Sequence, residues 1–199
     1  MDAADSDKVD SEKVVSDKDS NKVSGDKAES KAPAHGNASG ITSRASFVAA
    51  LRWGFDAAFE QGARRIVCVD ADWVDWPLWN DPGLLRSLAA WLRQPQRHLV
   101  LLARHYDTLE RRCPRFNTWR ADWMHAIEAW QPPEEHAPEL PTVLVSEGGD
   151  MALSVQLIDA RHWRGRAEVD AQRARLLCEE LDVVLQRSER TWAVRPLGL

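Results

Sequence analysis

Arg64-Arg65-Ile66-Val67-Cys68-Val69-Asp70-Ala71-Asp72-Trp73 is the stretch on which the fold turns. Four apolar residues, three of them β-branched, stand between charged neighbours, and a run that short and that apolar predicts a strand buried on both faces. Working back towards the N-terminus, Phe47, Ala50, Leu51, Gly54, Phe55, Ala58 and Phe59 share one helical face. Ser43 or Ser46 stands where a cap belongs and Gly62 where a stop belongs, so a helix is expected before the strand. Working forward, a Trp-rich loop is followed by Asp81-Pro82, which opens a helix through Leu84, Leu85, Leu88 and Leu92. Proline suits that first turn because its missing N–H has no helical partner there anyway. Leu99 to Ala103 is a second buried strand, expected to lie parallel to the first through a right-handed crossover.

From Asp107 to Trp130 the spacing predicts helix with a break at Pro114, carrying a stripe of Phe116, Trp119, Trp123, Ile127 and Trp130. Thr142 to Val145 and Ala152 to Ile158 read as two strands about Gly148-Gly149. A last helix is expected from about Glu168 to Gln186, with Leu177, Leu181, Val184 and Leu185 inward, and an edge strand within Trp192 to Leu197. This order predicts a layered α/β sandwich with helices on both faces of a mixed, mainly parallel sheet.

Residues 1 to 40 differ in kind. They hold no Leu, Ile, Phe, Trp or Tyr and carry nine acids and six lysines, a net charge of −3. Such a segment cannot bury enough apolar surface to offset chain entropy, so a disordered charged tail is expected, with a single domain over 41 to 199. Imperfect copies of a Ser-Asp/Glu-Lys-Val unit at Ser6, Ser11 and Ser20 read as low complexity.

No lysine follows Lys31, and all basic side chains of residues 41 to 199 other than histidine are arginine. Schiff-base chemistry, a Walker lysine and a His-x-Lys phosphodiesterase motif are therefore excluded from the domain. Its net charge of −2, from twenty arginines against 22 acids, supplies no global field towards nucleic acid or anionic membrane. No apolar run is long enough to span a bilayer, and no secretory signal pattern opens the chain, so a cytoplasmic protein is expected. Cys68, Cys113 and Cys178 are odd in number and show no paired spacing, which predicts free thiols. No His pair, among them His35, His98, His125 and His136, has metal-ligand spacing, and neither a metal nor a cofactor is expected.

Three features bear on function. Asp70 and Asp72 follow the first strand at i and i+2, where carboxylates can hold Mg²⁺ while one attacks a phosphoryl group. This resembles the first motif of haloacid dehalogenase-type phosphatases, although Ala103-Arg104-His105 stands where that family places Ser or Thr, and no lysine follows. Equally, the two acids can cap loop amides or pair with arginine. Residues 104 to 120 carry Arg104, Arg111, Arg112, Arg115 and Arg120 against Asp107 and Glu110, a local excess of +3. Such a cluster can bind an anion bidentately or neutralise nearby acids. Trp73, Trp76 and Trp79 recur every third residue and form either a packed lid or a partner hot spot.

The opening helix Phe47 to Phe59, Val69-Asp70-Ala71-Asp72, Leu101 to Asp107, and Leu177 to Ser188 followed by Val194 to Leu199 together resemble an uncharacterised proteobacterial domain commonly found after a GNAT acetyltransferase. The resemblance implies the fold of one phospholipase D half and an acetyltransferase context for a partner. Catalytic members of that superfamily use a His nucleophile, a phosphate-holding Lys and an Asp that orients the His. Here Arg161-His162-Trp163-Arg164-Gly165 places Arg164 where lysine is needed, and the exchange is not conservative at a fitted site.

The expectation is a non-catalytic binding or accessory module for a small anionic group or a protein partner, with neither nucleic acid nor membrane. Its candidate site comprises Asp70, Asp72, Trp76, Trp79, Arg104, His105, Asp107 and Arg111 on one rim of the sheet. The alternative is a Mg²⁺-dependent phosphotransferase using Asp70 and Asp72.

Overall fold

A computed structural model describes residues 39–135 and 140–193. Among them the chain order is β1 (Ser39–Ile41), α1 (Arg44–Glu60), β2 (Arg65–Val69), α2 (Pro82–Leu92), β3 (His98–Leu102), α3 (Asp107–Arg112), α4 (Pro114–Trp119), β4 (Ile127–Gln131), β5 (Thr142–Glu147), β6 (Leu153–Asp159), β7 (Arg164–Val169), α5 (Ala171–Gln186) and β8 (Glu189–Arg190). The strands form one mixed eight-stranded sheet in the order β1-β7-β6-β5-β2-β3-β4-β8.

Local chemistry accounts for the start of each long helix. Ser43 and Ser46 make a reciprocal capping box on α1, the Ser43 side chain accepting from the Ser46 amide and the Ser46 hydroxyl from the Ser43 amide. Gly62, at φ 69°, turns the chain into β2. The Asp81 carboxylate accepts from the Gly83 and Leu84 amides at the head of α2, and Asp170 accepts from the Arg173 amide at the head of α5.

β2 and β3 run parallel in the register Arg65↔His98 to Val69↔Leu102, so both carboxyl ends lie on one rim. Their side chains alternate between two cores. Ile66, Cys68, Leu99 and Leu101 face α1, α2 and the Trp loop, whereas Val67, Val69, Val100 and Leu102 face Ala174, Cys178, Leu181 and Leu185 of α5. Burying both faces is what made these strands readable as unbroken apolar runs.

The sheet is not mainly parallel. Only β2·β3 and β3·β4 are parallel, while β1·β7, β2·β5, β5·β6, β6·β7 and β4·β8 are antiparallel. Among the strands that were not foreseen, β7 brings two of the antiparallel pairs, while β4 adds a parallel one with β3 and an antiparallel one with β8. The expected helix over 107–130 breaks at Cys113 and ends in a tight turn over Arg120–Trp123, and Ile127 and Trp130 belong to β4. Their i, i+3 spacing mimics a helix because a five-residue strand is too short for its alternation to be decisive. β7, Arg-Gly-Arg-Ala-Glu-Val, carries charge on one face and begins at Arg164, inside the Arg161–Gly165 segment, for which no strand was expected. β1 and β8 are edge strands of three and two residues. α5 starts at Ala171, not Glu168, and the edge strand placed at Trp192 lies instead at Glu189–Arg190.

The tail up to residue 38, with His35, and likewise His136 and the Val194 to Leu199 segment, lie outside the described residues. No described helix is long and apolar enough to cross a membrane.

Candidate functional site

The rim where β2 and β3 end is built around Asp70. Leaving β2, its amide donates to Leu102 O of β3 at 3.1 Å, and its side chain is 6% exposed. Oδ1 accepts from the Asp72 amide at 3.0 Å and the Trp73 amide at 2.7 Å. Oδ2 accepts from Trp76 Nε1 at 3.0 Å and from Thr142 Oγ1 at 2.8 Å. Four donors converge on one buried carboxylate, as its charge requires when water is excluded.

This clamp fixes the loop that follows. Trp73 adopts φ 63°, a left-handed conformation that is strained for a bulky side chain and persists only where the surroundings determine it. Two features hold it there: the hydrogen bond its amide donates to Asp70 Oδ1, and burial of the ring against Trp76 at 5.2 Å and Trp79 at 5.9 Å between centroids. Trp76 stacks on Trp79 at 5.9 Å with an interplanar angle of 9°, and Trp79 meets Phe55 and Phe116. Trp73, Trp76 and Trp79 are all within 2% of complete burial. The triplet is therefore part of the core between α1, α4 and the sheet, and its rings are not offered to a ligand at the surface.

The second half of the rim docks through backbone. Ala71 O accepts from the amides of Arg104 and His105 at 3.1 and 3.3 Å, which brings the turn after β3 against the Asp70–Asp72 loop. Tyr106 beneath it is 6% exposed, its Oη 2.9 Å from the Leu101 and Trp130 carbonyl oxygens, and burial drives its pKa upward. Arg112 reaches Val74 O at 3.4 Å and Arg115 reaches Asn80 O at 3.5 Å, so these two arginines contact carbonyls of the Trp loop.

The sequence-predicted residues thus divide. Asp70, Trp76 and Trp79 are buried and engaged with one another or the core, while Asp72, His105, Asp107 and Arg111 are exposed and Arg104 is half-buried. Asp72 Oδ1 accepts from the Val74 amide at 3.1 Å. Two contributors escaped the sequence reading. Thr142 opens β5 and reaches Asp70 only because β5 lies antiparallel beside β2, pairing Val143 with Val69. Tyr106 was noted only as part of its segment, with no signal that its hydroxyl would tie β3 to β4.

The Arg161–Gly165 segment follows β6, which runs alongside β2 in the same direction with β5 between them, so its turn emerges at the same end of the sheet. His162 Nδ1 lies 2.7 Å from Asp159 Oδ2, and this pairing lowers the Asp159 pKa. Both side chains, and Arg164 at the start of β7, are solvent-accessible. Among the described residues no three His, Cys, Asp or Glu side chains converge to hold a metal ion, and Cys68, Cys113 and Cys178 are free and buried. Burial raises the pKa of each thiol, which suppresses the nucleophilic thiolate.

No family model matches the chain, and no curated protein is significantly similar to it.

Proposed function

We propose that the chain is a non-catalytic binding or accessory module of phospholipase D-like descent, receiving a small anionic group or a protein partner at the rim formed by Asp72, Arg104, His105, Asp107 and Arg111. The observation that carries this reading is the saturation of Asp70 by four internal donors. A phosphotransferase would need that carboxylate open to both a cation and a phosphorus atom, and here each oxygen already accepts two bonds inside the protein. What the rim does present to solvent is side chains of both signs on a short helix and its preceding turn, next to a loop held rigid by its indole core. Rigid support beneath exposed polar groups is the arrangement that limits the entropy cost of recognition. An acetyltransferase is the partner class that the family resemblance adds.

Titration of the full chain with inorganic phosphate, read from backbone amide and arginine guanidinium N–H resonances, tests the anion arm of this reading. Saturable shifts at Arg104, His105 and Arg111, weakened at least fivefold by Arg111→Glu, are expected. Phosphate that shifts no rim resonance, or shifts that survive Arg111→Glu unchanged, would remove the anion from the proposal.

A further inference from the structure

We propose a second binding site, separate from the rim, in which Arg120 receives the carboxylate of a small organic acid with an apolar body, in a cavity at the β4 edge of the sheet. Arg120 is only 7% exposed. Its Nε donates to Asn117 Oδ1 at 3.3 Å and its Nη1 to Trp192 O at 2.8 Å, and the guanidinium lies 3.5 Å from the centroid of the Trp192 ring. A guanidinium carries five N–H donors in a planar fork, so three remain after these two bonds. No described carboxylate pairs with it. Glu110 acts on it only through space, because the Glu110 carboxylate is bonded to the Trp192 indole N–H.

Burying a cation without a partner costs several kcal/mol, and ion pairing at hydrogen-bond distance is what ordinarily offsets it. At Arg120 the stacked indole offsets part of that cost. Arg120 lines a cavity of about 220 Å³ whose apolar wall is Met124, Ile127, Ala129 and Trp192, with Thr191 beside them. The other charged residues of that wall, Arg190 and Glu128, neutralise each other through a 2.5 Å contact. Among the described residues, Arg120 is thus a positive charge without a contacting carboxylate, offset at a distance by Glu110, beside a wall that is apolar apart from Thr191 and the Arg190–Glu128 pair. That favours a monoanion with a hydrocarbon body over a phosphate dianion, which would need more than one cation. Size sets a limit as well. The volume equals roughly seven waters at their liquid density, so the ligand has the bulk of benzoate or a short-chain fatty acid. Bidentate capture by the fork supplies orientation, and the Trp192 and Ile127 faces supply the apolar contact.

The site shares no residue with the rim, so the two proposals stand or fall separately. Its test is a titration of the full chain with benzoate, benzyl alcohol, inorganic phosphate and a short N-acetylated peptide ending in a free carboxylate. The readouts are the Arg120 Nε–H and Trp192 Nε1–H resonances. Benzoate is expected to shift both saturably, while benzyl alcohol, which has the shape without the charge, and phosphate, which has charge without the apolar body, leave them in place. Arg120→Gln should abolish the effect. Because that change also releases the Trp192 carbonyl and could unfold the edge, Met124→Trp provides an independent arm. Met124 is 59% exposed, so a larger ring there fills the cavity without disturbing the core, and benzoate affinity is expected to fall at least tenfold. Resonances unmoved by benzoate, equal shifts with benzyl alcohol, or full affinity in a folded Met124→Trp protein would overturn the proposal and leave Arg120 as a fastener of Trp192 alone. Tighter binding of the peptide than of benzoate would overturn the small-acid assignment.

Discussion

Asp70→Asn separates a structural carboxylate from a catalytic one. The substitution keeps an acceptor at Oδ1 for the Asp72 and Trp73 amides and replaces Oδ2 with an NH₂ that faces two donors, Trp76 Nε1 at 3.0 Å and Thr142 Oγ1 at 2.8 Å. The threonine hydroxyl can rotate and accept, whereas the indole N–H can only donate. Its loss leaves a buried donor unsatisfied, and a bond to a charged acceptor is worth about 1.5–3 kcal/mol. With the weakened charge on the two amides, the expected destabilisation is about 2–4 kcal/mol. For a domain of this size that lowers the thermal midpoint by roughly 5–15 °C. Urea unfolding followed by tryptophan fluorescence measures it, with the slope unchanged so that the loss is one of stability. Thr142→Val should cost about 1 kcal/mol alone and less in the Asp70→Asn background, because the two groups share a bond. An Asp70→Asn protein within about 0.5 kcal/mol of the parent, the range of an ordinary surface substitution, would refute the argument that the carboxylate is spent on the fold.

Phe116→Ala should cost about 3–5 kcal/mol, because the ring is fully buried against Trp79. Trp123→Ala should cost distinctly less, since Trp123 is only half-buried beside Trp119 and Arg93, and denaturant midpoints would rank the two. Gly54→Ala should destabilise by about 1–3 kcal/mol despite better helix propensity, because the added Cβ would lie 2.9 Å from Val155 Cγ2 and 3.2 Å from Leu144 Cδ2. At Asp81, burial raises the carboxyl pKa, but the Leu84 and Gly83 amides and Arg52 outweigh it and the net shift is downward. A depressed folded-state pKa contributes stability above the unfolded value that is lost as pH falls through the folded one. The cost of Asp81→Ala, about 0.5–2 kcal/mol for a cap, should therefore be full at pH 7 and shrink below pH 4 in unfolding curves taken across that range.

Much of the framework was legible because burial on both faces writes itself into composition. β2, β3, α1 and α2 were placed from unbroken apolar runs, a serine cap and an Asp-Pro start, and β2 and β3 pair in parallel as the crossover rule requires. The periphery was not legible, for a physical reason. β4 shares its Trp and Ile spacing with a helix, and β7 spends charged residues on a face that carries no continuous apolar pattern. Missing β7 removed two antiparallel pairs, with β6 and β1, from the expected sheet, whereas missing β4 removed one pair of each kind. At the site, the meeting of Asp70, Asp72, Arg104 and His105 followed from the parallel pair. That Asp70 would be saturated did not, because Thr142 reaches it across an antiparallel neighbour 72 residues away and Trp76 reaches it through a turn that depends on a left-handed Trp73. The Trp triplet was read as either a packed lid or a partner hot spot, since three indoles in a loop carry no apolar periodicity that would mark them as core.

On the reading proposed above, the rim binds and does not catalyse. Its most direct test is Mg²⁺-dependent hydrolysis of an aryl phosphate by the full chain, measured beside a folded Asp70→Asn protein. The same background rate is expected for both, because a carboxylate already accepting four bonds has no lone pair to direct at phosphorus. Mg²⁺-dependent turnover in the parent, abolished by Asp70→Asn while the unfolding midpoint is retained, would contradict it.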